Sequence, residues 1–219
     1  MNMRYGIYGG AFDPVHIGHL LLAESCLCEA SLDRVIFVPT GISPHRNLKN
    51  SYTASAQDRY NMLAAAINNY NKFEISRFEI DRDTVSYTID TLRYFHGKFN
   101  NVTKNTKQNY CNKNCNTAVE TETQVEIFLI LGCDMFCDLP NWRESSEILK
   151  LATPLVALRN GSQMPNTKIN YIPVNMPTID ISSTKIRNML ANNITPRFQT
   201  TEKVLNYIKT HNLYSKTQQ

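Results

Sequence analysis

The stretch GIYGGAFDPVHIGH, Gly6 to His19, sets an apolar alternation against a glycine pair, an Asp-Pro step and two histidines three positions apart. The run from Met3 to Gly9 reads as a strand. At its end Gly9 and Gly10 lack a Cβ, so the backbone can approach a ligand closely and turn sharply. Pro14 stiffens the loop, and a helix is expected to begin near His16. Such a start places His16 and His19 on one face of the first turn, beside backbone N–H groups without helical partners and at the positive end of the helix dipole. That is a phosphate-binding arrangement. As a metal chelate the pair lacks a nearby third ligand, and Gly18 sits where a metal-binding helix favours a helix former. As simple polar caps, the histidines would leave the glycines unexplained.

Outward from this stretch, short apolar runs alternate with longer runs of helical period. The expected strands are 3–9, 34–39, 73–80, 125–132, 153–159 and 171–176. The expected helices cover 17–30, 54–70, 88–99, 182–191 and 201–214. This β-α-β order predicts an α/β fold: an open doubly wound, Rossmann-like, mostly parallel sheet with helices on both faces. Residues 1–219 are expected to form a single domain. Residues 100–124 interrupt the pattern with seven asparagines and almost no large apolar side chains, which predicts a flexible surface insertion.

Composition narrows the function classes. The 23 basic and 19 acidic residues leave a net charge of +4 without a dense Lys/Arg block. That suits a nucleotide better than a nucleic acid, and no nucleic-acid partner is expected. No apolar run is long enough for a membrane span and the first residues lack a secretory pattern, so a cytoplasmic protein without a membrane partner is expected. The six cysteines fall in pairs that are not Cys-x2-Cys, so free thiols are expected and no metal site is assigned. Nothing in the sequence sets an oligomeric state.

Two further clusters carry chemistry. In ISSTKIR, 181–187, Ser182 is a good N-cap, and the helix start that includes Ser183 offers N–H groups to an anion. Arg187, four residues after Ser183, shares its face and can grip phosphate with two parallel bonds. In GCDMFCDLPNW, 132–142, the chain leaves the fourth strand, beside which a doubly wound sheet opens its ligand crevice. Asp134 is expected opposite Gly9 and Gly10, where it can accept ribose hydroxyls. Trp142, the one tryptophan, reads as core or as a stacking platform.

With VPTGISPHR after the second strand and SYTIDTL at 86–92, these pieces resemble the HxGH nucleotidyltransferases, and among them the bacterial nicotinate-nucleotide adenylyltransferase family. The resemblance spans most of the chain outside the insertion. It implies transfer of AMP from ATP to nicotinate mononucleotide, giving deamido-NAD and pyrophosphate in NAD biosynthesis. ATP and the mononucleotide are the implied partners, with Mg²⁺ arriving on ATP. His16, His19 and Arg187 are then implied as catalytic, and Gly9, Gly10, Phe12, Ser182 and Ser183 as ATP-binding. His45, Arg46, Thr88, Asp134, Trp142 and Arg143 are implied as substrate-binding, with the pyridine ring on Trp142 and its carboxylate near backbone N–H groups of Thr88 and Arg143. The chain departs from the family where it has Ser43-Pro44-His45-Arg46 in place of Pro-Pro-His-Lys, and Lys185 where an acidic residue is common.

A phosphate monoester is already ionised at neutral pH, so the attacking oxygen needs no general base. The dyad, Arg187 and a helix N-terminus are expected to supply a positive field around the triphosphate. Rivals are sibling transferases acting on phosphopantetheine, nicotinamide mononucleotide or a cytidylyl substrate, and a nucleotide-sensing regulator without turnover. Phosphopantetheine enzymes usually carry threonine at the first dyad position, where this chain has His16.

Overall fold

A computed structural model describes residues 2–44, 53–109, 124–159, 167–177 and 179–215. The chain runs β1 (Met3–Gly10), α1 (Ile17–Glu29), β2 (Arg34–Pro39), α2 (Ala56–Ile67), β3 (Phe73–Ile75), α3 (Thr88–Asn109) and β4 (Val125–Gly132). It continues through α4 (Cys133–Asp138), a 3-10 turn at Leu139–Asn141, α5 (Ser145–Leu151), β5 (Thr153–Arg159), β6 (Ile172–Met176), α6 (Ser183–Ala191) and α7 (Glu202–Thr210). All strand pairings are parallel, in the order β3-β2-β1-β4-β5-β6. Winding therefore reverses between β1 and β4, and their C-terminal ends flank the crevice where such sheets bind ligands.

The period-2 alternation of the strands builds a core on each face of the sheet. Tyr8, Val35, Phe37, Phe128 and Ile130 face one cluster with side chains of α1, α2 and α7. Ile7, Ile36, Val38, Leu129 and Leu131 face the other with α3, α4 and α5. Ser55, Ser182 and Thr201 each accept a backbone N–H at the start of α2, α6 and α7, which fixes where those helices begin.

Two expectations change. The third strand keeps only Phe73–Ile75 of the expected 73–80, because it is an edge strand paired with Val35–Phe37 alone. Beyond it Arg77 turns to form a forked bond with Asp81. Helix α3 continues to Asn109, so the first part of the expected insertion is helical; residues 110–123 lie outside the described residues. The segment after β4, to which the sequence pattern assigns no element, folds into α4, the 3-10 turn and α5.

Candidate active site

A cavity of about 760 Å³ opens over the C-terminal ends of β1 and β4. Gly9, Gly10 and His19 line one side; Tyr87, Thr88, Trp142 and Arg143 line another. Of the predicted site residues, Gly9, Gly10, His19, Thr88, Trp142 and Arg143 share this crevice, placed there by the winding reversal, whereas Phe12, His16, Asp134, Ser182, Ser183 and Arg187 do not line it.

At the phosphate end His16 is the N-cap of α1, and its backbone N–H donates to His19 Nδ1 at 3.2 Å. This bond makes Nδ1 an acceptor, so the neutral His19 ring carries its proton on Nε2. The two imidazoles stack with centroids 3.7 Å apart and planes 24° from parallel. Gly18 makes room for this: a Cβ there would stand 3.1 Å from His16 Nδ1. Burial lowers His16 to a pKa of about 4, and burial followed by the neighbouring His16 drives His19 well below the ordinary histidine range. Burial thus favours the neutral, N–H-donating form of both rings. They contribute N–H donors, while the cationic side chain of the trio is Arg187.

Arg187 lies against the same loop. Its Nη1 donates to the Asp13 carbonyl at 2.6 Å and stands 3.9 Å from the Asp13 carboxylate; its Nη2 donates to Thr184 Oγ1 at 3.2 Å. Ser183 Oγ donates to the Pro14 carbonyl at 2.9 Å, so the start of α6 is bonded to the approach to the dyad. Ser182 serves as the α6 cap, accepting the Lys185 N–H. Lys185 itself turns to Asp180 at 2.5 Å.

Phe12 departs from its expected place. It holds φ 50 and is 1 % exposed, with its ring edge-on to His19 at 5.0 Å. Its side chain buttresses the dyad from the core rather than facing a nucleotide, because the left-handed backbone turns it inward.

At the other end Trp142 is half-buried, and its indole N–H donates to Asp138 at 3.1 Å, which fixes the ring plane. The Arg143 guanidinium lies 4.7 Å from the centre of the Tyr87 ring. Glu144, left-handed at φ 54, bonds Arg93 of α3 through both carboxylate oxygens and ties this turn to the helix that begins with Thr88. Thr88 opens α3, whose first N–H groups have no partner within the helix. Asp134 sits in the first turn of α4, exposed, two residues beyond cavity-lining Gly132. His45 and Arg46 lie outside the described residues.

Three buried polar residues escape a reading of the sequence. Arg59, 1 % exposed, donates to the carbonyls of Ala11 (2.8 Å) and Thr40 (2.7 Å), bracing the ends of β1 and β2. Glu79 lines the cavity, accepts Thr91 Oγ1 at 2.6 Å, and has its pKa raised by burial. Gly41 passes so close to it that a Cβ would meet the Glu79 carbonyl at 2.2 Å. Asp13 is the third. Only the Asp-Pro step hinted at it, since its partners lie 40 residues and more away along the chain.

Among the described residues no group of three or more His, Cys, Asp or Glu could hold a metal ion. Cys26, Cys28, Cys133 and Cys137 form no disulfide, whereas Cys111 and Cys115 lie outside the described residues. No described helix is long and apolar enough to cross a membrane.

A paired-histidine helix start beside a glycine strand end, with a guanidinium from a later helix on the same loop, defines a nucleotide-phosphate-binding α/β domain. A family model described as cytidylyltransferase-like matches residues 7–189, and the chain belongs to that family. A probable nicotinate-nucleotide adenylyltransferase of Thermus thermophilus is 34% identical over 212 residues, covering 97% of this chain and 100% of the relative. One of Clostridium botulinum is 32% identical, covering 96% and 98%. Among solved structures, Plasmodium falciparum nicotinic acid mononucleotide adenylyltransferase complexed with NaAD superposes with a TM-score of 0.68 at 20% identity, covering 97% of this chain and 98% of that one. At that identity the likeness concerns the fold.

Proposed function

We propose that the chain transfers the adenylyl group of ATP to nicotinate mononucleotide, forming deamido-NAD and releasing pyrophosphate, by direct in-line attack of the mononucleotide phosphate on the α-phosphate. The observation that carries this reading is one cavity with two chemically distinct ends. One end offers His19 and the glycine strand end for phosphates; the other offers an oriented indole and a helix start for a flat ring bearing a carboxylate.

The attacking phosphate is ionised above its second pKa of about 6, so no base is required. What remains is alignment and charge stabilisation. His16 and His19, in the neutral form that burial favours, donate hydrogen bonds to phosphate oxygens without bringing two adjacent cations together. Arg187 supplies the fixed positive charge, and the N-termini of α1 and α6 add oriented N–H groups. Gly9 and Gly10 leave the backbone open to the nucleotide, Ser183 holds α6 against the loop, and Ser182 caps that helix. Trp142 stacks on the pyridine ring, with its carboxylate near Thr88 and Arg143, and Asp134, exposed in the first turn of α4, accepts hydrogen bonds from ribose hydroxyls.

No group of three or more His, Cys, Asp or Glu among the described residues is set to hold a metal ion, so Mg²⁺ would be carried on the ATP phosphates, where it would offset their charge. The test is pyrophosphate release from ATP with nicotinate mononucleotide, nicotinamide mononucleotide and phosphopantetheine side by side. Preference for nicotinate mononucleotide is expected; equal or greater rates with either alternative overturn the assignment.

A further inference from the structure

Tyr214 closes the C-terminal end of the described chain against a residue near its start. Its side chain is buried at 2 % exposure, and its hydroxyl donates to Asp13 Oδ1 at 2.8 Å across 201 positions of sequence. The same carboxylate accepts the N–H groups of Thr53 (2.9 Å, on Oδ2) and Ala54 (3.1 Å, on Oδ1). Three donors therefore hold Asp13, and its Oδ2 stands 3.9 Å from Arg187 Nη1, too far for a close ion pair. Arg187 instead bonds the Asp13 carbonyl, leaving its guanidinium incompletely neutralised.

We propose that Tyr214 is a positioning residue of the ATP site, which occupies the Asp13 carboxylate so that it does not capture Arg187. Without that hydroxyl a buried carboxylate oxygen loses a donor, and the nearest unspent positive charge is Arg187. The carboxylate then turns toward the guanidinium, closes the ion pair and draws charge from the incoming phosphates. Burial, with Asp13 beside it, keeps the Tyr214 phenol protonated far above neutral pH, so this donor is present at every working pH. Leu213 packs on the same core but makes no bond to Asp13, which separates the effect of the hydroxyl from that of C-terminal packing.

The inference rests on reading Arg187 as an ATP-phosphate ligand. The experiment measures binding of a non-hydrolysable ATP analogue to the full chain as wild type, Tyr214→Phe, Arg187→Met, the double variant and Leu213→Ala. KM for nicotinate mononucleotide and melting temperature accompany each. Tyr214→Phe is expected to weaken analogue binding about five- to tenfold, with mononucleotide KM within about twofold. It should weaken binding no further in the Arg187→Met background, since the two act in series. Leu213→Ala should lower the melting temperature and leave analogue affinity unchanged. Unchanged affinity in Tyr214→Phe, the same loss with and without Arg187, or an equal loss in Leu213→Ala overturns the inference. If Arg187→Met binds the analogue as tightly as wild type, the reading of Arg187 itself fails.

Discussion

Gly18→Ala adds one methyl group at the dyad. Its Cβ would lie 3.1 Å from His16 Nδ1 and 3.2 Å from Cε1, about 0.3 Å inside ordinary contact. His16 cannot give freely, because it is 7 % exposed and stacked 3.7 Å from His19. Crowding of this size costs about 1 kcal/mol, close to the ~1 kcal/mol that replacing glycine by alanine returns in helix propensity. Stability should therefore barely move. Misplacing a group in a transition-state site by about 1 Å can cost about 10²-fold in rate, so a dyad pushed by about 0.3 Å is expected to lose about two- to fivefold in kcat. Steady-state pyrophosphate release at saturating ATP and nicotinate mononucleotide, run beside a thermal melt, checks both halves. Wild-type turnover at a wild-type melting temperature would refute the packing argument; a collapse of the melting temperature would show that the glycine serves folding instead.

Asp138→Ala should release the Trp142 indole N–H and raise the KM for nicotinate mononucleotide by about three- to tenfold while leaving that for ATP unchanged, as initial-rate kinetics with each substrate varied will show. His16 titrates near 4 when folded and near 6.5 in its unperturbed state. Between those values the unfolded chain binds more protons, so stability falls as pH drops through this window, by about 3 kcal/mol from this group at pH 4. Melting curves from pH 7 to 4 should show that slope in wild type and a shallower one in His16→Asn.

The fold was legible because β1, β2 and β4 are apolar runs bounded by glycine, proline or polar turns, and the helices between them show the right period. The crevice beside the first and fourth strands was expected of a doubly wound sheet, whereas the full order β3-β2-β1-β4-β5-β6 is seen only in the strand pairings of the folded chain. The site was legible where function uses local spacing: two histidines on one turn, and a serine cap with an arginine one turn on. It was not legible where partners are remote. Arg59 meets carbonyls 48 and 19 positions away and Asp13 meets Tyr214, contacts that only the folded sheet creates. The burial of the dyad was hidden for a related reason, since it is decided by neighbours such as Phe12, and burial lowers a histidine pKa. The short helices α4 and α5 have six and seven residues, too few to show a helical period against the strand end before them.

The central claim is that the paired imidazoles act only as hydrogen-bond donors while the mononucleotide attacks ATP directly. The stereochemical course of the reaction with ATP made chiral at the α-phosphorus by sulfur substitution tests it. A single in-line displacement predicts inversion in the dinucleotide product. Retention would require two displacements through a nucleotidylated side chain, with one of the histidines the nearest nucleophile, and would contradict the account.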